Sequence, residues 1–528
     1  MRKKKLKVLV LILFLLLPIE IITSSYTNKF PFLLVQSDEE IAKTEIKMSL
    51  NSFGIDWLPD GTPISTANNS QRNPQICSDG AGGAIITWQD YRSGSNYDIY
   101  AQRIDSSGNL QWTADGVVIC TASDSQYRPE ICSDGAGGAI ITWYDYRSGL
   151  YSDIYAQRVN HLGNIQWTIN GTAICTAGES QLESQLCSNG AGGAIITWID
   201  YRSGSNYDIY VQEVSSSGGI EWNINGTAIC TVNNDQINPQ IFSDGSGGAI
   251  ITWKGAGIYA QRIDSSGNLK WTVNGTAICT ANGDKRIPQL CSNGAGGAII
   301  TWFDYRSGSN YDIYVQEVSS SGGIEWNING TAICTANGDQ YAPQLCSDGS
   351  GGAIITWYDG RSGSTGRNIY SQSINSSGNI QWTNNGVAIC TANNDQWVPQ
   401  LCSDGSGGAI ISWYDNRNID ITGRDIYVQL INSAGNVLWI SNGLAICTVN
   451  NDQINPQICS DGAGGAIITW NDGRSENDDI YAQHIKSPEL EGGEIPFVII
   501  VAIVSFIGIA VLIGIATTLI IKKRRKIE

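Results

Sequence analysis

The acidic residues of this chain fall into two kinds. Most recur: Asp90, Asp145, Asp200, Asp304, Asp359, Asp415 and Asp472 each stand two residues before an arginine, and a second acid such as Asp98, Asp153, Asp208 or Asp312 follows shortly after. A few have no copy: Glu130, Glu179, Glu183 and Asp420. Cleaving a glycan needs two converging carboxylates, one to protonate the leaving oxygen and one to act on the anomeric carbon or on a water. Such a pair should be unique, because a group repeated in every unit serves the scaffold. The unique acids are scattered over several repeats, so spacing joins no pair and no catalytic residue is assigned.

The recurring acids read as hairpin fasteners, one guanidinium held by a carboxylate on either side. Calcium is the competing occupant, but the intervening arginine opposes a cation and no dense Asp-x-Asp loop occurs; Asp478 and Asp479 come nearest. No metal ligand and no other cofactor is assigned. The two histidines are His161, in a turn, and His484, which stands where other units have Arg103 or Arg158. Neither a Gly-x-Ser-x-Gly elbow, a His-Glu-x-x-His pair nor a phosphate-cradling glycine loop is present. Six cysteine pairs are spaced twelve apart, from Cys120/Cys132 to Cys447/Cys459, while Cys77 faces Ser65 and Cys230 faces Phe242. An exported protein could hold them as disulfides, but the two members lie on the outer strand of one unit and the inner strand of the next, beyond the ~7 Å Cα reach of a bridge, which favours buried thiols.

What must position these residues is a repeat. An Ile-Ile-(Thr/Ser)-Trp run ends at Trp88, Trp143, Trp198, Trp253, Trp302, Trp357, Trp413 and Trp470, at intervals of 49 to 57 residues. Within residues 120–175, four short strands are separated by Asp-Gly-x-Gly-Gly, Asp-x-Arg-Ser-Gly and Asn-Gly turns. Four antiparallel strands per unit and eight units make an all-β, eight-bladed propeller over residues 50–487. The last copy stops after its third strand, and Trp57 with Gly61–Ala67 supplies the missing part, so the N-terminal strand is expected to complete the last blade. Tyr and Gln two apart, from Tyr100/Gln102 to Tyr481/Gln483, share one strand face and read as framework between blades.

The stretch from Ser133 to Tyr155, with Ser-Asp-Gly, an apolar strand, Arg-Ser-Gly and Asp-Ile-Tyr, resembles TolB-type repeats and, more loosely, other bacterial and archaeal surface propeller repeats. The resemblance implies a propeller used for binding and carries over no catalytic residue.

Both ends are apolar. Residues 1–25, with a basic start and a short apolar stretch, read as a signal peptide, followed by a linker over 26–49. After a second linker over 488–496, residues 497–521 are long enough for a membrane-spanning helix. The basic tail 522–528 marks the cytoplasmic side, which leaves the propeller outside the cell on a single-pass anchor. With a net charge of −17 for the whole chain, nucleic acid is excluded as a partner.

The hairpin after the second strand and the link between blades share one rim. There the residue two before the usual proline varies: Arg72, Tyr127, Leu182, Ile237, Arg286, Tyr341, Trp397 and Ile454. Unit four shortens its hairpin at Lys254–Gly257, and unit seven lengthens it through Asn418–Arg424. Trp397 beside Asp420 and Arg424 is the expected ligand patch, with Tyr341, Tyr127, Arg72 and Arg286 contributing. These features lead to a cell-surface binding or adhesion module, not an enzyme, for a glycan, peptide or surface protein. The alternatives are an extracytoplasmic glycan-cleaving hydrolase or lyase, and a structural coat component.

Overall fold

In the computed structural model, which describes residues 54–363 and 366–487, 32 strands form eight four-stranded antiparallel sheets. Blade one runs Gln71–Ser78, Ala84–Asp90, Asp98–Ile104 and Val117–Cys120 from inner to outer strand, and blades two to seven repeat that order. The inner strands begin ahead of the proline position; that of blade two starts at Gln126, three residues before Pro129. Second strands are buried almost throughout, because neighbouring blades cover both faces, and this is why they are unbroken β-branched runs. The turn before them is set by Asp79, whose Oδ1 accepts the amides of Ala81 at 2.8 Å and Gly83 at 2.9 Å. A Cβ on Gly83 would sit 2.3 Å from the Ile104 carbonyl oxygen, so only glycine fits.

The repeat's tryptophans are fully buried between blades. In seven of the eight, indole Nε1 donates to the aspartate two residues on, at 2.7 to 2.9 Å. The following arginine pairs with the same carboxylate and lies over the tyrosine of the third strand, 3.6 to 3.8 Å from its ring centre. Its Nη2 also reaches a turn carbonyl, in blade two Asn170 O at 2.7 Å. Held by one carboxylate, a ring and a turn carbonyl, the guanidinium does not bridge two acids as expected. Asp98 instead accepts Asn96 Nδ2 at 3.0 Å, and burial pushes its carboxyl up to about 6. The glutamine works within its own blade: Gln102 Nε2 donates to Thr113 O at 2.7 Å and its Oε1 accepts Trp112 N at 3.0 Å. Blade four departs from the pattern. Gly255 stands where the other blades have the aspartate, so Trp253 lacks the carboxylate of its counterparts, and the preceding Lys254 pairs with Asp284 at 3.2 Å.

The two ends of the array meet. Thr62–Ser65 pairs with Asp479–Ile485, with Thr62 opposite Ala482 and Pro63 opposite Tyr481, and so supplies the outer strand of blade eight. Trp57 Nε1 donates to Ser106 O at 3.1 Å, as Trp112 does to His161 O at 3.1 Å. Trp57, Ile64, Trp88 and Ile480 share one buried cluster, in which blade one packs on blade eight. The signal peptide, both linkers, the membrane span and the basic tail read from the sequence lie outside the described residues. Among the described residues no helix is long and apolar enough to cross a membrane.

All fourteen cysteines are free thiols. Cys120 lies beneath Arg147, whose Nη2 is 3.2 Å from Sγ, and burial pushes this thiol up to about 12, which leaves it unreactive.

Asp145→Ala strands the buried Arg147 and the Trp143 indole, and is expected to cost about 3 kcal/mol in denaturant unfolding. Lys254→Ala, which removes a surface ion pair in the blade that lacks the clasp, should cost less than about 1 kcal/mol. Equal losses would contradict the clasp's role.

Candidate active site

The inner strands position the site through a bulge. Pairing of the first two strands slips between Arg72 and Gln75 in blade one and at the matching place in every other blade. The residue inside each slip has left-handed backbone: Asn73, Arg128, Glu183, Asn238, Ile287, Ala342, Val398 and Asn455, with φ between 45° and 54°. β-Branched Ile287 and Val398 pay strain there, so the bulge and not residue preference imposes the geometry.

Bulge residues and the residues two beyond them line two cavities on the axis. The first, about 180 Å³, is bordered by Arg128, Glu130, Glu183, Ser184, Gln185 and Asn238 among others. The second, about 290 Å³, shares Arg128 and Glu130 and extends to Asn73, Gln75, Val398 and Asn455. Together they touch the inner strands of seven blades, and so mark an axial channel. Its bulge ring is two-sided. Asn455, Asn73, Arg128, Glu183 and Asn238 form a polar arc, and Ile287, Ala342 and Val398 an apolar one.

Glu130 and Glu183, scattered in the sequence, thus face one cavity. Where Glu130 stands, the other seven blades carry glutamine, from Gln75 to Gln457. Confinement in the channel desolvates its carboxyl and pushes it up to about 8; the Gln185 amide and the Arg128 guanidinium pull the other way without offsetting this. Gln75 Nε2 also donates to Oε1, at 3.5 Å. Glu130 therefore keeps its proton at neutral pH. Glu183 Oε2 accepts the Asn238 backbone N–H at 3.2 Å and its Nδ2 at 3.5 Å. Next to it Ser184 replaces the usual proline; the residue is 3% exposed and its hydroxyl has no partner. Arg128 forms no ion pair among the described residues and is the only cation lining either cavity.

A tyrosine cluster stands beside the polar arc. Tyr127 contacts Tyr97, Tyr144 and Tyr146 with ring centres 5.4 to 6.0 Å apart, and Tyr144 is within electrostatic reach of Arg128 and Glu183. The other expected ligand residues are dispersed. Tyr341 donates to Asp339 Oδ2 at 2.8 Å and joins Phe303, Tyr311 and Tyr358 in a second aromatic run, which ends at Trp397 beneath Arg367. Arg72 pairs with Asp478, Arg286 with Asp284, and Arg424 with Asp452 at 3.1 Å. Asp420 lines a shallow hollow with Ile421, Asn451 and Asp452, which neither Trp397 nor Arg424 borders. Among the described residues no group of three or more His, Cys, Asp or Glu is placed to hold a metal ion. The channel residues lie one position past the variable rim residue, and the breaks from Asn-Pro-Gln at Arg128, Glu130, Glu183 and Ser184 were the signal for them.

No protein-family model and no curated protein matches the sequence. Solved structures similar to it include an endo-arabinase from Bacteroides thetaiotaomicron, at 16% identity and a TM-score of 0.29 over 49% of this chain and 95% of that one. An α-L-arabinanase from Penicillium chrysogenum is similar at 12% identity, with a TM-score of 0.35 over 58% of this chain and 93% of that one. Puromycin hydrolase is similar at 12% identity, with a TM-score of 0.44 over 79% of this chain and 62% of that one. The likeness is one of fold. The expectation of a non-enzymatic binding or adhesion module is corrected: Glu130 and Glu183, two of the unique carboxylates whose dispersal in the sequence argued against catalysis, line one cavity.

The folded chain holds the Glu130 proton up to about pH 8, while the ordinary glutamate value is 4.5. The stability this carboxyl contributes is full below 4.5 and is lost as pH rises through about 8. Glu130→Gln, which cannot ionise, should therefore gain unfolding temperature relative to the parent across that window, and a constant difference would contradict the assignment.

Proposed function

We propose that the chain is a glycan-cleaving hydrolase whose reaction centre is the axial channel. The observation that carries this reading is the convergence of Glu130 and Glu183, unmatched by carboxylates at these positions in the other blades, on one cavity. Glu130 acts as general acid, passing its proton to the glycosidic oxygen as the bond to the anomeric carbon breaks. Glu183, held by Asn238, faces the positive charge that develops on the sugar and either attacks the anomeric carbon or takes a proton from the incoming water. Tyrosines 127, 144 and 146 offer rings on which the neighbouring sugars stack, and the apolar arc of Ile287, Ala342 and Val398 closes the opposite wall. The enzyme acts outside the cell on a membrane tether, a placement that rests on the basic and apolar patterning of residues 1–25 and 497–528.

A screen of polysaccharides with the full chain, read by reducing-end release, tests the reading. Glu130→Gln and Glu183→Gln should each lower kcat by about 10²–10⁴-fold while leaving substrate binding nearly unchanged. Activity of the parent should fall as pH rises through about 8, because the acid must be protonated. Turnover insensitive to both substitutions would overturn the proposal.

A further inference from the structure

Two side chains that border the channel stand open to an acceptor, the exposed Arg128 and the buried Ser184. Arg128 stands at the bulge of blade two, held there by its backbone N–H on Gln89 Oε1 at 3.2 Å, and its guanidinium engages no carboxylate in an ion pair or hydrogen bond among the described residues. This sets it apart. The arginines of the blade clasps pair with aspartates, and so do Arg72, Arg286, Arg367 and Arg424 around the rim. Ser184 is buried, yet its hydroxyl is unpartnered and borders the same cavity. Leaving a buried hydroxyl unpaired costs about 1–3 kcal/mol, and here it replaces a proline that would have cost nothing. Both departures fall in the two blades that carry Glu130 and Glu183 and nowhere else in the ring.

A planar guanidinium and a hydroxyl converging on one space are complementary to a carboxylate, which takes two parallel N–H donors from arginine and a third from an O–H. A sulfate or phosphate ester is bulkier and tetrahedral, and would meet Glu130 and Glu183 close by. A carboxylate at the rim of a sugar ring places one charge toward Arg128 and leaves the ring face for the tyrosines.

We infer that Arg128 and Ser184 form a carboxylate subsite, so that the substrate is an acidic glycan bearing a uronic acid next to the bond that is cleaved. The inference rests on the glycan-cleaving reading of the same channel, and deepens it from glycan to uronate-containing glycan. In an acidic protein, an exposed arginine at the channel wall with no ion pair among the described residues also favours the charged oligosaccharide over its neutral counterpart through short-range pairing, since the long-range field repels it.

The test uses the full chain carrying Glu130→Gln, to hold substrate without turnover, and a panel of galacturonate, glucuronate and mannuronate oligosaccharides beside the same oligosaccharides reduced at C6 to neutral sugars. Calorimetric titration is expected to show at least one acidic oligosaccharide binding 10-fold or more tighter than its reduced form. Adding Arg128→Gln should abolish that preference, and adding Ser184→Ala should weaken it, with the unfolding temperature unchanged in both. Equal binding of acidic and reduced forms, a preference that survives Arg128→Gln, no binding across the panel, or tighter binding of poly-glutamate would each overturn the subsite. Turnover by the parent separates the two readings. Uronates that bind through Arg128 but stay intact refute the hydrolase and leave the subsite standing, whereas cleavage confined to neutral glycans does the reverse.

Discussion

An aspartate carboxylate wholly removed from water, clasped between an indole N–H and a guanidinium, is what the rest of this structure depends on. Left alone, such a group costs several kcal/mol, so each blade that carries it must deliver tryptophan, arginine and tyrosine together or not fold. The clasp also reaches across the blade boundary. Arg147 of blade two touches the Cys120 thiol of blade one, and Thr121 N donates to Asn170 Oδ1 at 3.0 Å in the turn whose carbonyl Arg147 holds. Sheet, hairpin and neighbour are thereby fixed relative to one another, and the inner strands meet around the axis at a common height.

A scaffold built this way offers the axis eight equivalent positions, and equivalence is what makes departures informative. The default at the channel is Asn-Pro-Gln, neutral and hydrogen-bonding. Blades two and three replace it with Arg-Pro-Glu and Glu-Ser-Gln, which puts an acid, a second carboxylate, a cation and a hydroxyl on one side. Blades five to seven answer with Ile287, Ala342 and Val398. A sugar ring has a hydroxyl edge and an apolar face, and a channel divided in the same way suits it. Burial does the chemical tuning: desolvation, rather than repulsion from another carboxylate, holds the Glu130 proton.

Much of the architecture was legible in the sequence because the repeat shows it eight times. The β-branched runs ending in tryptophan gave the second strands, and the missing fourth strand of the last copy pointed to Thr62–Ser65. The Asp–Arg fastener was read correctly as structural but with one acid too many, since the tyrosine ring and the turn carbonyl that occupy the guanidinium lie far off in sequence. The lining of the channel was not legible. Glu130 and Glu183 are 53 residues apart, and only the bulge, with its left-handed residue ahead of the proline, turns both toward the axis. Periodicity cannot reveal a bulge; what it does reveal is the variable rim position one residue earlier, and around it Trp397 lies beneath Arg367, Arg424 pairs with Asp452, and Asp420 lines a separate hollow.

The central claim is that the channel keeps a glutamic acid protonated at neutral pH, ready to donate. Carbon-13 NMR of the full chain, labelled at the glutamate side-chain carboxyls and titrated from acid to alkaline pH, observes this directly. The account predicts one resonance with its midpoint near pH 8 that is absent from Glu130→Gln. If every glutamate carboxyl titrates in the ordinary range below about 5.5, the channel holds no such acid and the account is wrong.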